Sequence, residues 1–129
     1  MSTITLRFDL HRDSVLTANQ RLHWARKARA TAYLRQLARH HARAFVVTEG
    51  LHLDRAHALV ELTFPDPGRR RDAANWHPTV KALLDGIVDS GLLADDDRKH
   101  LDGPDLRIVD DRCKPGRVGV AIHLTAVAS

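Results

Sequence analysis

The sequence predicts an α+β fold: one domain over residues 1–129, with a mixed four-stranded sheet packed against two main helices. Three observations predict it. Short segments alternate apolar and polar residues with period two, at the start, middle and end of the chain. A long stretch after residue 19 contains no proline or glycine and is dominated by alanine, leucine and arginine. A second helical pattern, with start and stop signals of its own, lies between two of the strand-like segments.

Taken in order, Thr3-Ile4-Thr5-Leu6-Arg7-Phe8-Asp9-Leu10 reads as a half-buried first strand. A helix is expected from about Asn19 to Arg43. At 100° per residue, Ala30, Tyr33, Leu34, Leu37 and Ala38 form its core face, and Arg21, Arg35, Arg39 and Arg43 form a basic stripe opposite. Residues 46 to 57 are the least legible part. Ala58 to Phe64 reads as a second strand, closed off by Pro65-Asp66-Pro67-Gly68. Asn75 is placed to cap a second helix, with Pro78 in its first turn, apolar positions at Val80, Leu83, Leu84, Ile87 and Val88, and Gly91 as the stop. Asp105 to Val109 and Arg117 to Leu124 read as a closing hairpin around Lys114-Pro115-Gly116.

Composition narrows the class. At 129 residues the chain can bury a core without staples. The single Cys113 cannot form an internal disulfide, which fits a reducing, cytoplasmic setting. No apolar run reaches the ~20 residues of a membrane span, and the opening residues alternate like a strand instead of forming an export signal. The net charge of +4 and the excess of arginine over lysine favour a nucleic-acid partner, because guanidinium groups make bidentate phosphate contacts. The bland account of the same excess is a compositional bias of the coding sequence.

One stretch points to chemistry. Arg69-Arg70-Arg71-Asp72 is followed by Asn75, Lys81, Asp85 and Asp95-Asp96-Asp97. Adjacent like charges repel, and a polyanion together with divalent cations would balance both clusters, which suggests metal-assisted chemistry on a phosphodiester. Mg²⁺ takes oxygen ligands and keeps positions for water and substrate phosphate, so two or three convergent aspartates suffice. Alone, the aspartate run is an ordinary solvated turn, and Lys81 with Asp85 an ordinary i, i+4 ion pair. Beside Asp72 and Asp96 the lysine gains a second role, offsetting charge on a scissile phosphate or positioning a water. A calcium loop starting at Asp95 would have Leu106 where a bidentate glutamate is needed. None of the nine histidines has zinc-ligand spacing with a third ligand. A helix over residues 76 to 90 is ~22 Å long, which separates Asp72 from the aspartate run; residues 92 to 96, extended, return ~16 Å. Convergence of Asp72 and Asp96 onto shared metal is expected within one subunit or across a dimer.

These residues resemble the RusA-type Holliday-junction resolvases, in their divergent phage and actinobacterial form. The resemblance runs through Arg69 to Asp72, Asn75, Lys81, Asp85, Gly91 and Asp95-Asp96, and takes in Asn19 to Trp24 and the final Gly-Arg-Val-x-Val strand. It implies a small homodimeric Mg²⁺ enzyme, with Mn²⁺ as a substitute, that cuts branched DNA by paired nicks. It implies Asp72, Lys81 and Asp96 as catalytic residues, with Asp85 and Asp95 completing the metal ligands. DNA contacts would come from Arg69, Arg70, Arg71, Asn75, Arg21, Arg35 and Arg39. The chain departs from the family's Asp-x-Asp-Asn core at Ala74, which removes one carboxylate, and the spacing from Asn75 to Lys81 is longer. A catalytically impaired junction-binding protein on the same fold is the second expectation.

Overall fold

The structure is a computed structural model that describes residues 3–128. It has six main elements: β1 (Thr3–His11), α1 (Trp24–Glu49), β2 (Ala56–Phe64), α2 (His77–Ser90), β3 (Leu101–Arg112) and β4 (Arg117–Ala126). The four strands form one sheet in the order β1-β4-β2-β3, with β2 and β3 parallel and the other pairs antiparallel. This is the mixed four-stranded sheet with two helices that the sequence predicts.

Alternation decides which side of the sheet is dry. Leu6, Phe8 and Leu10 of β1, Val60 and Leu62 of β2, and Val120, Ile122 and Leu124 of β4 are buried in one cluster with Leu34 and Ala38 of α1 and Leu83 and Ile87 of α2. The intervening residues stay polar and partly wet. There, His123 Nε2 meets Glu61 Oε1 at 2.6 Å, and His123 Nδ1 meets Thr5 Oγ1 at 2.8 Å.

Several expectations are corrected. α1 begins at Trp24, five residues later than expected, and runs on through Glu49 to a left-handed cap at Gly50. The delay has a cause: Ala18 and Asn19 donate their backbone N–H groups to Asn75, and His23, an unusual cap, accepts from the Ala25 N–H. Asn75 is thereby used as a tether. It does not cap α2, whose first turn starts after Trp76 with no side-chain cap and with Pro78 near its start. The core face of α1 is Leu34, Ala38, Ala42 and Val46, and Tyr33 is 52% exposed. Arg35 and Arg43 accordingly turn toward α2, where Arg35 pairs with Asp89 and Arg43 donates to the Ser90 carbonyl. Finally, β3 and β4 follow one another through the Lys114–Gly116 turn without pairing as a hairpin. β4 inserts between β1 and β2, and β3 takes the outer edge beside β2.

Close helix packing holds the site's scaffold. At Gly86 of α2 an added Cβ would lie 2.0 Å from the Arg35 carbonyl oxygen and 2.9 Å from the Ala38 Cβ. The backbones of α1 and α2 therefore meet where only hydrogen fits. Thr79, fully buried, ties the start of α2 to the segment before α1: its Oγ1 accepts from the Leu16 N–H at 2.7 Å and donates to the Leu16 carbonyl at 2.6 Å.

Candidate active site and nucleic-acid interface

The residues singled out by sequence fall into two neighbouring groups. The first is acidic and centred on Lys81, one turn into α2. Its ammonium donates to Asp85 Oδ1 at 2.8 Å and also to Asp96 Oδ2. Asp85 is the i+4 neighbour that any helix would supply. Asp96 is fifteen residues away and arrives because Gly91 ends α2 in a left-handed turn and Leu92 and Leu93 anchor in the core, with Leu53 bridging to Leu93. The expected return of the aspartate run toward the helix therefore takes place.

Electrostatics follow the geometry. The Asp96 carboxyl is held below the ordinary carboxylate range chiefly by its hydrogen bond from Lys81, with smaller help from hydrogen bonds with Asp85 and Asp95. Lys81 is pushed up by Asp85 first and Asp96 second. Asp95 Oδ1 accepts from the Asp96 N–H at 2.7 Å, which curls the loop. Lys81 is half exposed, so these pairs contribute no more than about 1 kcal/mol to stability. A role in holding the fold does not explain two carboxylates on one half-exposed ammonium with a third, Asp95, beside them in the loop.

Asp97 takes a different direction. It accepts from the backbone of Lys99 and His100 and pairs with His100 Nδ1 at 2.6 Å, which holds its carboxyl below the ordinary range. Asp95, Asp97 and His100 form a group, among the described residues, whose ligand atoms lie within 4.8 Å of one another. It is exposed and could hold a metal. Neither Asp72 nor Asp96 belongs to it.

The second group lines a cleft of about 920 Å³ between the β2–α2 loop and the ends of β1 and β4. Arg69, Arg70, Asp72, Asn75 and Trp76 line it from the β2–α2 segment, and Arg12 and Arg117 line it from the ends of β1 and β4. Asp72 caps the short 3-10 turn Ala73–Trp76 by accepting from the Ala74 N–H at 3.1 Å. Among the described residues it has no hydrogen bond or ion pair with Lys81, Asp85, Asp95 or Asp96. The structure thus joins Lys81, Asp85, Asp95 and Asp96 and leaves Asp72 in the cleft.

The arginines differ in availability. Arg71 is folded back: its side chain is only 16% exposed, lies 4.0 Å over the Phe64 ring, and donates to the Asp66 carbonyl and carboxylate. Asp66 is held low by that interaction. Arg35 is similarly engaged with Asp89, whereas Arg21 and Arg39 are exposed and have no carboxylate within 4.0 Å among the described residues. Two further cleft arginines, Arg12 and Arg117, are not among the residues expected to contact DNA, although Arg117 falls in the Gly-Arg-Val-x-Val strand. Each lies at a strand end, and they approach only because β4 pairs with β1 in the register His11 to Arg117. Reading β3 and β4 as a hairpin hides that neighbour relation.

Fold and site together define a small basic α+β domain with a lysine-centred carboxylate cluster and an arginine-lined cleft. No protein-family model matches the chain, and no curated protein matches it. No helix of the described residues is long and apolar enough to cross a membrane.

Proposed function

We propose that the protein is a Mg²⁺-dependent, structure-selective endodeoxyribonuclease that resolves four-way or otherwise branched DNA by paired phosphodiester nicks, on the pattern of the RusA-type resolvases. The observation that carries this reading is the arrival of Asp96 at Lys81 and Asp85, which gathers residues far apart in sequence into a half-exposed cluster. The oxygen-only donors of Asp85, Asp95 and Asp96 suit a hard divalent cation such as Mg²⁺, and Mn²⁺ would substitute. A cation bound there would supply Lewis-acid activation of the phosphate and a more acidic bound water.

The chain's own residues carry the rest. Lys81 is free enough at half exposure to turn from a carboxylate toward a phosphate oxygen and offset the charge that builds on it. Arg69 and Arg70 present guanidinium groups to the strand near Asp72. Paired nicks on a symmetric junction require two sites related by a two-fold axis, so the acting species is a homodimer with an interface above roughly 1,000 Å². Asp72, which lies in the cleft, would join the cation's ligands from its own subunit or from the second copy.

A second reading, a junction-binding protein without cleavage, is favoured by two particulars: Ala74 stands where the family has a carboxylate, and Asp72 is engaged as a cap. The two readings separate on a labelled four-way junction with Mg²⁺. The nuclease reading expects nicks from the parent protein and none from Asp96→Asn, with binding retained in both. Tight binding without nicks from the parent protein selects the second reading.

A further inference from the structure

We propose that the arginine cleft receives an unpaired nucleotide of a DNA strand, with its phosphate held by Arg12 and Arg117 and its base laid against Trp76. The inference rests on the nucleic-acid reading above and assigns a role to residues that reading leaves unused. Its first support is size. A concavity of about 920 Å³ lies in the range that encloses one small ligand. A duplex shows only base edges in its grooves and cannot offer a base face to such a pocket.

Charge gives the second support. Five arginines line the cleft against two aspartates, Asp66 and Asp72, and Asp66 is already matched by Arg71. Arg12, Arg69, Arg70 and Arg117 have no carboxylate within 4.0 Å among the described residues, although all four line the same cleft. Guanidinium groups left unmatched across a gap are arranged for an anion between them. The part of the lining at the β1 and β4 ends is firmly built: the Arg12 N–H donates to the Gly116 carbonyl at 2.9 Å, and Arg117 pairs with His11 in the sheet. Gly116, at φ +76°, makes the turn that brings the two arginines together.

The aromatic wall is the third support. Trp76 is half-buried, with its ring 5.0 Å from that of Phe64, and it is one of the residues that line the cleft. An indole fixed by a second ring, with arginines around it, is a sequence-tolerant stacking platform for a base. The site would give a preference for branched DNA with unpaired nucleotides at the branch over fully paired duplex.

The experiment follows Trp76 emission in Trp24→Phe protein, in chelator so that no cleavage occurs, while a short oligothymidylate is titrated. Trp24 is 76% exposed, so its replacement leaves the fold intact and Trp76 as the sole indole. Saturable quenching is expected. In Arg12→Gln/Arg117→Gln protein the affinity should fall by about tenfold or more, with a salt slope shallower by ~0.7 for each phosphate that the variant no longer neutralises. Absence of quenching, or unchanged affinity in the double variant, overturns the proposal. Equal quenching by an acidic peptide also overturns it, in favour of a protein partner. Because no metal is present, oligothymidylate binding that persists in a protein unable to nick junctions upholds this site while the nuclease reading falls.

Discussion

Replacing Gly86 with alanine should destabilise the protein, against the helix propensity of the two residues. In an isolated helix the change is favourable by about 1 kcal/mol. Here the new methyl would sit 2.0 Å from the Arg35 carbonyl oxygen and 2.9 Å from the Ala38 Cβ, and both neighbours belong to the backbone or first side-chain atom of α1. Neither can rotate away. Ordinary packing distance requires α1 to retreat by roughly 1 Å, and a gap of that size forfeits up to about half of each dispersion interaction along the seam, including those of Leu34 with its neighbours. Overpacking commonly costs about 1–3 kcal/mol, and a backbone clash stands at the upper end. The net destabilisation should therefore be about 2 kcal/mol or more, or roughly 5 °C or more in melting temperature for a domain of this size. Thermal melts by circular dichroism read it directly. An unchanged or raised melting temperature would refute the close approach of the helices and, with it, the placement of Lys81 and Asp85 relative to α1.

Further outcomes follow from the same geometry. Thr79→Val keeps the volume but leaves the buried Leu16 N–H and carbonyl without their partner, so a destabilisation of about 2–3 kcal/mol is expected in urea unfolding. Lys81→Met should abolish cleavage while lowering stability by less than about 1 kcal/mol, because its ion pairs are half exposed; retained cleavage would remove the lysine from the mechanism. Asp66, Asp89, Asp96 and Asp97 are all held below their ordinary value of 3.8 by Arg71, Arg35, Lys81 and His100 respectively. Their stabilisation is present above about pH 4 and disappears as pH falls through the depressed values, so the melting temperature should drop on acidification below that point, less steeply in Lys81→Met. Arg35→Ala breaks a partly exposed pair with Asp89 and should cost about 1 kcal/mol at most, with little change in the salt dependence of DNA binding, whereas Arg69→Ala/Arg70→Ala should flatten it.

Much of this molecule is readable from local pattern. The alternation of β1, the apolar face of α2 and the Gly91 stop depend on neighbours within a few residues, and they are legible for that reason. The phase of α1 is not, because Ala30, Leu34 and Ala38 fit two overlapping faces, and the approach of Gly86 from another helix decides between them. Its start is hidden by a histidine cap and by a tether from Asn75, more than fifty residues away. Sheet order is likewise non-local: β3 and β4 are adjacent in sequence and have the length of a hairpin, yet β4 is claimed by both β1 and β2. At the site, the residue types at Lys81, Asp85 and Asp96 signal their own convergence. Arg12 carries no motif, nothing in the Gly-Arg-Val-x-Val strand marks Arg117 as a cleft residue, and their proximity exists only once the strand order is known.

Anomalous diffraction from crystals soaked in Mn²⁺ addresses the metal site most directly. A nuclease built on the Lys81 cluster predicts a peak within coordination distance, about 2.1 Å for the Mg²⁺ it would replace, of carboxylate oxygens of Asp96 and Asp85, with the Lys81 ammonium displaced from between them. A peak at Asp95, Asp97 and His100 alone, or no peak at either place at millimolar Mn²⁺, would contradict it.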